Sequence, residues 1–172
     1  MPNNRKQTVM THGLKGVLNR LSQNLNRDDL VQKTTDNLRN YLKCDRVVIY
    51  YFYCKWEGQV TFESLSHPKY SIYGSTGPDE CFNQKYASLY EANRVSTIAN
   101  VETSDIEECH RNFLKDLGVR ANLVVPILTE RGLWGLLIAH NCQTPRTWSS
   151  EEIDTMLQGA TELARSEAIR KF

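Results

Sequence analysis

The sequence predicts an α+β fold: a central antiparallel sheet of five to six strands with helices on both faces. Three observations carry this. Strand-like segments come in pairs joined by short turns, so neighbouring strands run antiparallel. Helical stripes stand at both chain ends and between the two strand groups. The chain has 172 residues, enough for one domain with a real core.

The elements follow in order. Residues 1–12 are polar and read as a disordered or linker terminus. From His12 to Leu25 the apolar positions Leu14, Val17, Leu18, Leu21 and Leu25 form a helical stripe. Arg27-Asp28-Asp29 caps a second helix carrying Leu30, Val31, Thr34, Leu38 and Leu42. Arg46–Cys54 is β-branched and aromatic without a breaker, which predicts a strand buried on both faces or nearly so. Trp56-Glu57-Gly58 turns the chain into a partner strand, Val60–Leu65. Ser66–Phe82 contains Pro68, Gly74, Gly77 and Pro78 and reads as a long loop, a type that is usually functional or disordered.

A short helix is predicted at Asn83–Glu91, a short strand at Val95–Ala99 and a helix at Ser104–Leu117. Asn122–Leu128 and Leu133–His140 are two strands joined by the hairpin turn Thr129-Glu130-Arg131-Gly132. Ser149-Ser150-Glu151-Glu152 has a capping-box pattern and opens a helix predicted to run to the chain end. The terminal helices form one layer. The loops and the central helix cover the other sheet face, which leaves a pocket between them.

Composition narrows the function. The formal net charge is +1, and no basic cluster points to nucleic acid or to a membrane surface. The N-terminus lacks the apolar run of a signal peptide, so the chain reads as cytoplasmic, without direct membrane contact. No P-loop, G-x-S-x-G elbow or metal-ligand run is present. Five cysteines without paired spacing are not a disulfide framework.

Two of the cysteines stand in chemical company. Cys109 precedes His110 on the helix predicted at Ser104–Leu117, and both lie on the side of Ile106, Phe113 and Leu117. A thiol beside an imidazole can serve a polar ligand as nucleophile and hydrogen-bonding partner. Taken alone, a core cysteine beside a core histidine is the commoner arrangement. Cys81 lies in Asp79-Glu80-Cys81-Phe82. If the segment is extended, Asp79 and Cys81 face one space and Phe82 anchors the loop from the other side. Otherwise Asp79 is a helix N-cap and Cys81 is filler. Cys44, Cys54 and Cys142 read as packing residues.

These motifs resemble a known family. Asp79-Glu80-Cys81-Phe82 is similar to the Asp-Xaa-Cys-Phe motif of the dual-cysteine cyanobacteriochromes, within the phytochrome superfamily. Cys109-His110 is similar to their chromophore-attaching pair. Ala121–Ile127 and Leu133–His140 look like their two core strands, and the likeness runs from about Leu14 to Ala164. It implies a GAF fold over residues 13–172, with terminal signalling helices, and a photoreceptor role without catalysis on a separate substrate.

The resemblance also implies a site. A linear tetrapyrrole, phycocyanobilin or phycoviolobilin, would be thioether-linked at Cys109, with Cys81 as a second, reversible thioether. His110 would lie against the rings and Asp79 on the pyrrole nitrogens. Arg94 would pair with a propionate, His140 would lie near the edge of the pigment, and Phe82 and Tyr86 or Tyr90 would complete the contacts. Light would convert a violet/blue-absorbing state into a green-to-orange one through Z/E isomerisation. The partners implied are a downstream output domain and a second copy of the chain, met through the terminal helices. Two other readings fit the same fold: a redox enzyme reducing free methionine sulfoxide, and a ligand-binding regulator taking a cyclic nucleotide.

Overall fold

The computed structural model describes residues 4–77 and 84–172, with side chains described for 12–77 and 88–172. Two long helices come first, α1 (Asn4–Arg27) and α2 (Asp29–Leu42). The hairpin β1 (Arg46–Cys54) and β2 (Glu57–Leu65) follows, then a 3₁₀ turn at Pro68–Tyr70 and the short helix α3 (Gln84–Glu91). Next come β3 (Ser96–Ile98), α4 (Glu108–Asp116), and the hairpin β4 (Ala121–Thr129) and β5 (Gly132–Asn141). The chain closes with α5 (Ser150–Ala164) and α6 (Glu167–Arg170). The strands form one five-stranded antiparallel sheet in the order β2-β1-β5-β4-β3.

Alternation along the strands divides the sheet. On one face Val47, Ile49, Leu123, Val125, Ile127, Leu137 and Ala139 meet Leu21, Leu25, Val31, Leu38, Met156, Ala160, Leu163 and Ile169 from the terminal helices. Each fully buried Leu or Ile contributes about 1.5–3 kcal/mol, and this layer is the main core. The opposite face carries a smaller apolar set of Val48, Tyr50, Val60, Tyr90, Val124 and Leu136. The helical layer from both chain ends and the covered second face agree with the sequence reading.

Four local features differ from expectation. α1 begins at Asn4 rather than His12, so the helix takes in much of the segment read as disordered or linker. No Pro or Gly interrupts residues 4–12, so nothing there stops helical propagation. The β1–β2 turn is tighter than predicted: Cys54 pairs with Glu57, and Trp56 takes a left-handed φ of 71°.

α4 begins at Glu108, not Ser104. The guanidinium of Arg111 donates to the carbonyls of Val101, Glu102 and Ser104 at 2.6, 2.7 and 2.9 Å, which holds the preceding segment in a folded loop. The last helix does not run through to the end. It breaks at Arg165, and Ser166 caps α6 by accepting from Ile169 N, which turns Ala168 and Ile169 into the core.

The capping box at α5 is present in full. Ser149 accepts from Glu152 N at 3.2 Å, and Glu152 accepts from Ser149 N at 2.9 Å. Glu152 also receives the Arg146 guanidinium, which donates in addition to the Leu42 carbonyl. Ser149→Ala should therefore cost about 1 kcal/mol, read as a lower urea midpoint with an unchanged m-value. An unchanged midpoint would show that the Arg146 anchor holds this helix end by itself.

Candidate functional site

The second face of the sheet encloses a cavity of about 620 Å³, within the usual range for a small-molecule site. Its floor is apolar: Val48, Val60, Val124, Leu136 and Ile138. Tyr50 stands among them, and its hydroxyl accepts from Gly77 N at 2.9 Å, holding the end of the described loop to the floor. Residues 74–76 run beside β2, where Val60 N donates to the Ser75 carbonyl and Gly74 N to the Val60 carbonyl.

Polar side chains enter from several elements. His110, from the first turns of α4, is half-buried and lines the cavity, and burial pushes its pKa below the ordinary value. Arg94, just before β3, lines it as well. Tyr90, from α3, is buried there, and burial raises its hydroxyl pKa against the opposing effects of Ser96 and Arg94. Of the two tyrosines left open by the sequence, Tyr90 therefore lines the cavity, while the side chain of Tyr86 lies outside the described residues. Asp79, Cys81 and Phe82 lie outside them too. Exposed Asp105, Glu107 and Glu108 form an acidic stretch of the rim.

His140 is 3% exposed and lines the cavity from the end of β5. Its Nδ1 accepts from Arg46 Nε at 2.9 Å. Burial, reinforced by the Arg46 charge, holds its pKa well below the ordinary histidine value.

Cys109 is not on the inward side that its helical spacing predicted. It lies in the first turn of α4, exposed and outside the cavity lining, and it is disulfide-bonded. Consecutive helical residues do not face the same way, and His110 takes the inward position. The free thiols among the described residues are Cys44, Cys54 and Cys142. Cys44 is buried, which pushes its pKa up to about 12, in agreement with a packing role. Cys54 is exposed at the end of β1, so it does not pack. None of the three lines the cavity. No group of His, Cys, Asp and Glu suited to a metal ion occurs among the described residues, and no described helix is long and apolar enough to cross a membrane.

Sequence reasoning missed three site residues. Arg46 is 2% exposed at the start of β1 and stands beside His140. Asn122 is 3% exposed on β4, lines the cavity and pairs in register with His140. Its Oδ1 is buried without a hydrogen-bond partner. The indole Nε1 of Trp56, another lining residue, is likewise buried and unpartnered. The available signal was a single polar residue in each of two otherwise apolar strands.

The GAF domain family profile matches residues 26–166. A protein of Picosynechococcus sp. described as uncharacterized is 48% identical over 156 residues, covering 91% of this chain and 96% of that protein. A putative methyl-accepting chemotaxis protein of Synechocystis sp. is 36% identical over 141 residues, 82% of this chain but 14% of its own length. Among solved structures, the blue-light absorbing form of the Thermosynechococcus elongatus PixJ GAF domain matches with a TM-score of 0.72. The pair are 32% identical, with 85% of this chain and 88% of that chain covered. A phycocyanobilin-bound GAF domain from a cyanobacterial phytochrome matches with a TM-score of 0.70 at 29% identity, covering 87% and 91% of the two chains. With the profile matching most of its length and the same fold in solved GAF domains, the chain belongs to the GAF domain family.

Proposed function

We propose that this chain is the light-sensing domain of a cyanobacteriochrome-type photoreceptor, holding a linear tetrapyrrole in the cavity. The carrying observation is the lining itself: an apolar floor ringed by Arg94, His110, His140 and Asn122 on the sheet face away from the terminal helices. The PixJ and phytochrome GAF domains support the same reading.

The chemistry of the lining fits such a pigment. A bilin is long and apolar, with pyrrole N–H donors, two terminal lactams and two carboxylate tails. Arg94 supplies an always-charged fork for a carboxylate. Asn122 Oδ1, an acceptor without a partner, suits an N–H, and Trp56 Nε1 suits a carbonyl. The acidic rim of Asp105, Glu107 and Glu108 repels carboxylate tails and favours their placement towards Arg94.

When bound, the tetrapyrrole supplies light absorption and Z/E isomerisation. Cys109, in its reduced form, is the attachment residue: its sulfur bonds to a side-chain carbon of the pigment while the thiol proton passes to the neighbouring carbon. Cys81 would serve as a reversible second nucleophile, its sulfur bonding to a bridge carbon of the pigment while the thiol proton passes to a pyrrole nitrogen, and both returning on release. Asp79 accepts from pyrrole N–H groups, and Phe82 and Tyr90 pack against the rings. An output domain in a longer receptor, or a second copy of the chain, would receive the signal through the terminal helices. The methionine-sulfoxide alternative is less favoured, because Cys44, Cys54 and Cys142 lie away from the cavity.

Co-expression with bilin biosynthesis should give a coloured protein whose denatured band fluoresces with zinc. A colourless, non-fluorescent band would remove the pigment reading. Cys109→Ala should abolish the fluorescent band, and a persistent band would assign attachment elsewhere. Cys81→Ser should keep the pigment and lose the blue-absorbing state; a retained blue state would exclude the second thioether.

Asn122→Leu should move stability and assembly in opposite directions. It removes an unpaired buried acceptor that costs about 1–3 kcal/mol, so the urea midpoint of the apoprotein should rise. Covalent pigment yield should fall. An unaltered yield would show that Asn122 has no part in ligand recognition, and a lower apoprotein midpoint that its buried Oδ1 carries no such cost.

A further inference from the structure

A buried polar row crosses the cavity face of the sheet. Arg46, His140 and Asn122 are register partners on β1, β5 and β4. All are at most 3% exposed, yet the row contains no ion pair. Arg46 spends its guanidinium on three neutral acceptors. Nε donates to His140 Nδ1 at 2.9 Å, one Nη to the Tyr70 carbonyl at 2.7 Å, and the other to the Leu117 carbonyl at 2.7 Å. These acceptors come from β5, from the loop after β2 and from the end of α4. Glu63 and Asp45 are near enough to favour the charge without bonding to it.

Arginine has donors and no acceptor. A ring nitrogen that receives its Nε–H must therefore carry a lone pair, and the imidazole proton is forced onto the other nitrogen. That nitrogen does not donate to its register neighbour, because Asn122 Oδ1 takes no hydrogen bond. We infer that Arg46 is a positioning residue: it locks His140 in the Nε2–H tautomer, so that the ring presents a donor to the cavity beside the Asn122 acceptor, and it ties α4 to that ring through Leu117. A neighbouring donor and acceptor complement a ligand group that carries both, such as a lactam or amide. The value of this for ligand recognition rests on the pigment reading above, but the tautomer lock does not.

Among the described residues, the neighbouring carboxylate Asp45 does not orient the ring. Asp45 is occupied on the far side, accepting from Cys142 N at 2.6 Å and Gln143 Nε2 at 2.9 Å. Lysine could not replace Arg46, since one ammonium on a flexible stem cannot span three acceptors in a fork.

The test uses the 172-residue apoprotein labelled with ¹⁵N-histidine, with the His140 signals assigned through His140→Gln. Wild-type His140 should show the Nε2–H tautomer alone at neutral pH. Arg46→Met should give a mixture of tautomers or an Nδ1–H ring, with Arg46→Lys intermediate. A wild-type ring in the Nδ1–H form overturns the assignment even if Arg46→Met does not fold. A folded Arg46→Met protein that keeps the pure Nε2–H ring overturns it as well. Loss of pigment binding with an intact tautomer lock would count against the pigment reading alone.

Discussion

The cavity face of this protein is organised around one buried cation, Arg46, that makes no ion pair with a carboxylate among the described residues. Isolating a guanidinium from water costs several kcal/mol unless every donor finds good geometry. Arg46 goes far towards that condition, one bond from each nitrogen, by drawing a strand, a loop and a helix end onto itself. The neighbouring Asp45 does the converse, accepting from the segment after β5. Two consecutive residues thus tie β5 to the irregular segments around Tyr70, Leu117 and Cys142.

The same device recurs where the chain is irregular. Arg111 gathers the carbonyls before α4, and Arg146 joins the Leu42 carbonyl to Glu152 while its guanidinium lies 4.3 Å from the Trp148 ring centre. Backbone carbonyls outside regular structure need donors when buried, and a planar fork supplies several from one side chain. The terminal-helix face is held differently, by close apolar packing. There the buried Gly159 lies so close to Leu38 that a methyl group would approach its Cδ1 to 2.6 Å. One face of the sheet is filled. The other is framed by polar contacts around a space.

This contrast explains what the sequence made legible. Apolar periodicity reports the filled face, so β1, the β4–β5 hairpin and the α5 capping box were readable from residues alone. Contacts between distant side chains and backbone leave no periodic trace. The start of α4 was misjudged because Arg111 consumes carbonyls that a longer helix would have used, and that error turned Cys109 inward. His110, Arg94 and His140 came from motif likeness and do line the cavity. Arg46 and Asn122 escaped notice because a lone polar residue in an apolar strand reads as a strand end or a blemish. Its meaning appears only when register aligns it with His140.

The row also bears on how a change in the cavity could reach the rest of the domain. α4 carries His110 at its start and is tied to Arg46 beyond its end, through Leu117. Moving that helix by a few tenths of an ångström would stretch a hydrogen bond whose donor is buried. Leaving such a donor unpaired costs on the order of 1–3 kcal/mol, the same size as the coupling between sites in most allosteric proteins. Arg46 opens β1, whose next residue, Val47, faces the terminal helices from the other side of the sheet. A single strained contact at this cation is therefore enough to bias two helix arrangements, provided those helices have two arrangements to choose between.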